Sequence, residues 1–208
     1  MSSKSRTEKF WDSWADKFDK RAKNFTPLPI EETKKYLKNS DVVLDVGCAT
    51  GAAVIEIADC VKEAVGIDIS SKMIDVAQRK TNALGIGNIA FKQTTLFDKE
   101  FENEKFNAII AFNVIHLIKG KQELIQRMSE LLKPNGFVII KTISYEKRTF
   151  SNILLNFITL AMVRLKVIPY MEFIKISDFK EILCNEGFET IKVENLKSAD
   201  YYIVAKKT

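Results

Sequence analysis

The stretch VLDVGCATG, Val43 to Gly51, together with GIDIS, Gly66 to Ser70, decides how this chain is read. Val42, Val43, Leu44 and Val46 form a nearly unbroken apolar run, the pattern of a parallel strand buried on both faces. Gly47 and Gly51 can adopt backbone angles closed to other residues, so the chain can turn sharply and lie close to a ligand. The AAVIEIADC that follows forms helix readily, and its first turn leaves amide hydrogens free to meet a polar group. Asp68 comes after Val65, Gly66 and Ile67, which puts a carboxylate at the carboxyl end of a second strand. There it can accept from both hydroxyls of a ribose. A strand, a small-residue turn, a helix and a distant acidic strand end predict a nucleoside site.

Outward from this motif, strands and helices alternate. Val42 to Val46 is the first strand, Gly51 to Cys60 a helix and Ala64 to Ile67 the second strand. Ser70 and Ser71 cap a helix over Lys72 to Leu84, whose Ile74, Ala77 and Thr81 fall on one side. Strands follow at Asn88 to Lys92, Phe106 to Phe112 and Gly136 to Ile143; an amphipathic helix, Gln122 to Leu132, precedes the last and is closed by KPNG. A helix from Ile176 to Glu186, begun by Ser177, then leads to two alternating strands, Glu189 to Glu194 and Tyr201 to Lys206, around a turn at Ser198 to Asp200. The expected fold is α/β: a Rossmann-like, seven-stranded, mainly parallel sheet with helices on both faces and a C-terminal antiparallel hairpin. Ligands of such sheets sit outside the carboxyl ends of the strands, where Asp45, Asp68, Thr95 and Asn113 are predicted to gather. Before the first strand, helices are expected over 7–38, with Phe10, Trp11, Trp14 and Phe18 as an aromatic stripe on one helix and Ile30 to Lys38 as another. The stripe serves core packing, a lid over the site, or both.

Composition narrows the function. A length of 208 residues suits a single domain spanning 1–208. The net charge of +5 comes from basic residues interleaved with acidic ones and not from an arginine-rich or aromatic-basic block, so a nucleic-acid partner is not expected. Cys48, Cys60, Cys184 and a lone His116 have no metal-ligand spacing, so no metal site is expected. Unpaired thiols, and an opening segment without an uninterrupted apolar run, suit the cytoplasm.

The glycine register selects among nucleoside sites. Gly47, Ala49 and Ala52 fit the dinucleotide fingerprint only with two substitutions, which disfavours an NAD-dependent reductase. The chain offers instead G-x-A-x-G with Asp45 two places before the first glycine, and this resembles motif I of the class I S-adenosylmethionine-dependent methyltransferases, with Ala49 where glycine is usual. FNAIIAFNVIHLI resembles that family's fourth-strand motif, LLKPNGFVII the segment leading into its fifth strand, and Phe18-Asp19 the aromatic-Asp pair of its small-molecule members. The resemblance implies S-adenosylmethionine as cofactor and S-adenosylhomocysteine as product. It implies that Asp45 and the loop Gly47, Cys48, Ala49, Thr50, Gly51 hold the methionine portion, that Asp68 binds the ribose and that Ile69 packs on adenine. Thr95 and Leu96 would adjoin the adenine amino group, with Asp98 as a substitute acceptor, and Asn113 and Val114 would border the reacting centre. His116, just past strand four, is the candidate general base; packing and hydrogen bonding are its alternative uses.

Phe150 to Tyr170, FSNILLNFITLAMVRLKVIPY, interrupts the family pattern and is apolar on almost every side. Arg164 and Lys166 break the run and Asn152 and Asn156 dilute it, which argues against a membrane span. Burial against the core, a substrate lid as part of a helical insertion at 147–172, a homodimer contact and an interfacial helix meeting a membrane surface all remain open. The expected activity is methyl transfer to a small or medium, partly apolar acceptor. RNA or protein methylation and a non-catalytic S-adenosylmethionine-binding module are the alternatives; N-P-P-Y and D-P-P-Y are absent after strand four, where Asn113 is followed by Val-Ile-His.

Overall fold

A computed structural model describes residues 4–22, 27–101, 105–144, 150–197 and 199–208. Its strands are β1 (Val42–Val46), β2 (Glu63–Asp68), β3 (Ile89–Gln93), β4 (Phe106–Phe112), β5 (Leu132–Ile143), β6 (Phe188–Lys197) and β7 (Asp200–Lys207). They form one sheet in the order β3-β2-β1-β4-β5-β7-β6, parallel from β3 to β5 and antiparallel at β7 and β6. The expected sheet and its closing hairpin are therefore present. The chain runs outward from β1 to β3, then returns to lay β4 on the other side of β1. This reversal opens a crevice at the carboxyl ends of β1 and β4.

The central strands are apolar on both faces because both are covered. Leu44, Ile109 and Ile140 pack with α6 (Lys121–Leu131) and α8 (Ile176–Asn185), while Val43, Ile110 and Ile139 pack with α4 (Ala52–Ile57) on the opposite side. Helix α5 (Ser71–Ala83) buries Met73, Ile74, Ala77 and Thr81, and the Ser70 hydroxyl caps it by accepting from Met73 N at 3.2 Å.

Several local expectations are corrected. The aromatic stripe does not lie on one helix: α1 (Arg6–Asp12) stops at Ser13, whose hydroxyl donates to Phe10 O at 2.6 Å, and a short 3-10 turn separates it from α2 (Phe18–Ala22). Its aromatics are half-buried, and the buried positions are Asp12 and Ala15. The next helix, α3, ends at Lys34 instead of Lys38, the chain continuing in turns to Asp41. KPNG does not simply end a helix; β5 begins before it, Leu132 pairing with Phe106, and Asn135 at φ 63° marks the irregularity before pairing resumes at Phe137. Ser177 lies inside the first turn of α8 and donates to Asp178, while Lys175 occupies the cap. Of the expected hairpin turn, Ser198 lies outside the described residues, as do 147–149 of the insertion.

The apolar segment forms α7 (Phe150–Arg164). Simple burial does not describe it: Phe157 is 71% exposed, and Leu154, Ile158 and Leu160 are also exposed, Thr159 being buried. Among the described residues no helix is long and apolar enough to cross a membrane.

Candidate functional site

The loop after β1 is shaped by its backbone. Gly47, Ala49 and Gly51 all have positive φ, at 69°, 46° and 78°, and the amides of Gly47 and Cys48 both donate to Ile67 O at the end of β2. A methyl group on Gly47 would lie 2.4 Å from Val114 Cγ2, and one on Gly51 2.9 Å from Phe91 Cζ. Glycine is required at both places by angle and by space. Ala49 holds a left-handed conformation that costs an L residue about 1 kcal/mol or more. Cys48 is buried beside Gly66, and burial with the charges of Asp45 and Asp68 pushes its thiol well above the usual range. It is an inert wall.

Asp68 closes the other side of the crevice. One carboxylate oxygen accepts from Ala49 N at 3.1 Å and the other from Ser70 N at 2.8 Å, which fixes the group across from the glycine turn. Burial pushes its carboxyl up, and the amides of Ser70 and Ala49 oppose that. Asp45 is buried beneath, and burial followed by the charge of Asp68 raises it from 3.8 to about 7. The two carboxylates are close enough for the charge of Asp68 to favour the protonated form of Asp45.

At the turn after β3 the predicted pair divides. Leu96 is buried in the core and presents only its backbone, whereas Thr95 is exposed, its hydroxyl accepting from Phe97 N at 3.3 Å. Asp98 is engaged locally, one oxygen accepting from the Thr94 hydroxyl at 2.5 Å and the other from Glu100 N at 3.0 Å, which orients the carboxylate and leaves each oxygen a further acceptor site. Ile69 is half-buried beside Asp68, and its carbonyl accepts from Gln93 Nε2 at 3.1 Å.

The far end of the crevice is made by β4 and β5. Asn113 has φ 58°, its amide donates to Lys141 O at 2.7 Å, and its side-chain oxygen accepts from Lys141 Nζ at 3.0 Å. Lys141 Nζ is also 3.5 Å from Asp200 Oδ2, and burial pushes the ammonium below its usual range against that carboxylate. His116 is buried, stacked on Phe173 with centroids 6.0 Å apart, and its Nδ1 lies 3.4 Å from the Thr142 hydroxyl. Burial, then Lys121 and Lys141, push the imidazole from 6.5 down to about 4, so it is neutral at pH 7. Ser144, two residues beyond Thr142, has a buried hydroxyl without a hydrogen-bond partner among the described residues.

Sequence reasoning missed Asp12 and Lys141 in this frame and named Asp19 without its partners. Asp12 of α1 accepts from the Ser70 hydroxyl at 2.7 Å and Lys72 N at 3.2 Å and pairs with Lys4 at 2.6 Å, strapping the N-terminal helix to the start of α5. Asp19 accepts from the Thr50 hydroxyl at 2.5 Å and pairs with Lys80, which also donates to Thr50 O, so the weakest of the noted motifs touches the glycine loop. Lys141 was legible as a lone cation within the apolar run VIIKTI. A cleft of about 290 Å³ between α1 and the end of α7 is lined by Arg6, Phe10, Lys119, Val163, Val167 and Tyr170.

The sequence profile described as "Methyltransferase domain" matches residues 37–205, from the end of the N-terminal helices to the last strand. The chain belongs to this methyltransferase family. S-adenosylmethionine is the family's cofactor, and it becomes S-adenosylhomocysteine on transfer. Among curated relatives, this methyltransferase is 31% identical over 159 residues to a ubiquinone biosynthesis O-methyltransferase of Rickettsia typhi, a match covering 74% of the chain and 62% of the relative. It thus spans less than two thirds of that relative's length. A crystal structure of an S-adenosylmethionine-dependent methyltransferase from Aquifex aeolicus superposes with TM-score 0.71 at 17% identity, covering 95% of this chain and 98% of that one. The cyclase SpnF superposes with TM-score 0.81 at 13% identity, covering 99% and 96%. At such identities the likeness is one of fold, and a fold hosts more than one chemistry.

Proposed function

We propose that this methyltransferase transfers the methyl group of S-adenosylmethionine to a small or medium, partly apolar acceptor, by direct in-line displacement. The observation that carries the reading is Asp68: a strand-end carboxylate held by Ala49 N and Ser70 N, facing the glycine turn. Each of its oxygens has a further acceptor site for a ribose hydroxyl. Two further features support the cofactor: the tight turn that the positive φ values of Gly47 and Gly51 allow, and Asp45, a carboxylate that a nearby cation would draw into its charged form.

When bound, S-adenosylmethionine supplies a methyl carbon already activated by its sulfonium, so the protein's work is to align the acceptor and exclude water. In this reading the Gly47 to Gly51 loop, with Asp45, holds the methionine portion, Ile69 and the Thr95-Leu96 turn flank the adenine, and Asn113 and Val114 border the reacting centre. On the same reading His116 takes the proton that the acceptor sheds as its new bond to carbon forms; its lowered pKa makes it a weak base, so the step demands an acceptor that is itself acidic, such as a phenol, and packing on Phe173 is its alternative use. The cleft between α1 and α7 supplies the partly apolar wall of the acceptor side. The relative named for ubiquinone biosynthesis supports oxygen as the nucleophile and a small molecule as its bearer.

Calorimetry with S-adenosylmethionine, S-adenosylhomocysteine and NADH tests the cofactor: the first two bind and the third does not. Asp68→Ala is expected to weaken that binding at least about tenfold, near 1.4 kcal/mol, through loss of charge-assisted bonds. An unchanged titration removes Asp68 from the site. Binding without S-adenosylhomocysteine-forming turnover across phenolic, amine and thiol acceptors favours the non-catalytic module instead.

A further inference from the structure

The geometry points to Lys141 as a positioning residue for the cofactor crevice, acting through Asn113 and Val114 on the turn at Gly47. The inference rests on the reading of that crevice as the S-adenosylmethionine site, and goes beyond it to what sets the crevice's shape. Lys141 sits in β5 directly after Val138, Ile139 and Ile140, and is 1% exposed. An apolar side chain of similar length would fill this place without the desolvation penalty of a buried ammonium. What the ammonium does there is visible in its partners.

Lys141 holds Asn113 at both ends. Its carbonyl accepts from Asn113 N at 2.7 Å, and its Nζ donates to Asn113 Oδ1 at 3.0 Å. Asn113 needs this double hold because its φ of 58° lies in the left-handed region, which residues other than glycine adopt at a cost. That reversal aims the next residue, Val114, at the glycine turn. A Cβ on Gly47 would stand 2.4 Å from Val114 Cγ2 and 2.8 Å from its Cβ, so Val114 occupies the space over Gly47 and limits how that turn can rearrange.

The ammonium is itself located from the C-terminal hairpin. Asp200 Oδ2 lies 3.5 Å from Nζ, and Asp200 is placed by the antiparallel pairing of β5 with β7, in which Lys141 faces Tyr202 and Ile143 faces Asp200. A series of contacts therefore runs from Asp200 through Lys141, Asn113 and Val114 to Gly47. It joins the last strand of the sheet to the first, across more than 150 residues of chain. The hairpin thereby contributes to the cofactor crevice without touching it.

Lys141→Met keeps the length of the side chain and removes the donor. Hydrogen exchange on the ligand-free protein is expected to show the amides of Gly47, Cys48 and Asn113 exchanging at least about tenfold faster in this variant, with the amides of α5 unchanged. Titration with S-adenosylhomocysteine is expected to show affinity lowered about tenfold. Asn113→Gly, which permits the same φ without the side-chain acceptor, should weaken affinity comparably, and adding Lys141→Met to it should cost less than about twofold more. If Lys141→Met does not fold, Asp200→Asn must show the same exchange pattern at about threefold, and its absence overturns the inference. Wild-type exchange rates in a folded Lys141→Met, or fully additive losses in the double variant, overturn it as well. Accelerated exchange in a protein that fails to bind S-adenosylhomocysteine would instead sustain the Lys141 role and remove the cofactor reading.

Discussion

At the β1–β2 end of the crevice, three residues within five positions carry positive φ, and two of them have no room for a single added carbon. At the β4–β5 end the frame of the crevice is made by buried polar side chains: the ammonium of Lys141, the imidazole of His116, the hydroxyls of Thr142 and Ser144. One end is held by backbone angles and amides over a short stretch, the other by contacts between residues 26 and 28 positions apart in β4, β5 and their flanks. A backbone-built end tolerates no added bulk, while a side-chain-built end responds mainly to lost charges and donors.

The two ends also carry buried titratable groups of opposite sign. Asp45 is raised from 3.8 to about 7, so the folded chain holds a proton that the unfolded chain has released, and its contribution to stability is lost as pH rises from about 4 to 7. His116 is lowered from 6.5 to about 4, so the unfolded chain binds a proton that the folded chain does not, and its contribution is lost as pH falls from about 6.5 to 4. Over that shared range the two oppose each other.

Substitutions can break this comparison, beginning with the largest. Gly47→Ala meets both a forbidding φ and the Val114 side chain; urea unfolding should show a loss of about 3 kcal/mol, and a loss under 1 kcal/mol would mean that the turn is not backbone-limited. His116→Gln removes the proposed base while keeping a polar side chain, and kcat should fall about a hundredfold with cofactor affinity unchanged. In the same variant, stability measured from pH 4 to 6.5 should now decline with pH, because the raised carboxyls of Asp45 and Asp68 are no longer opposed by the imidazole. Asp45→Asn should shift that pH slope the opposite way, toward stability rising with pH, with a thermal midpoint at pH 7 at least about 3 °C higher and weaker cofactor binding. The smallest effect belongs to Ala49→Gly, which relieves the left-handed alanine and should add about 1 kcal/mol or less, because glycine also loosens the unfolded chain.

The geometry of the β1–β2 end could be anticipated from residues because its constraints are local. Gly47, Gly51 and Asp68 are each tied to a strand end, and the apolar runs around them place those ends. The N-terminal region was less legible: the aromatics that dominate its pattern are half-buried, and the contacts that attach it are made by Asp12 and Asp19, whose partners are Ser70, Lys72, Thr50 and Lys80. Carboxylates of this kind look like surface charges until the distant partner is known. Helix α7 shows the converse, since an apolar run suggested burial while Phe157 and Leu160 face outward.

The sequence alone determined the order of strands and helices, the sheet they form, the turn at Gly47 to Gly51 and the acidic strand end at Asp68, because periodicity and backbone freedom act within a few residues of each position. Only the tertiary structure decided that Lys141 reaches Asn113 and Asp200, that Val114 caps Gly47, and that burial moves Asp45 and His116 in opposite directions. Those outcomes depend on which surfaces are withdrawn from water together, and desolvation and pairing are properties of the assembled fold rather than of any segment in it.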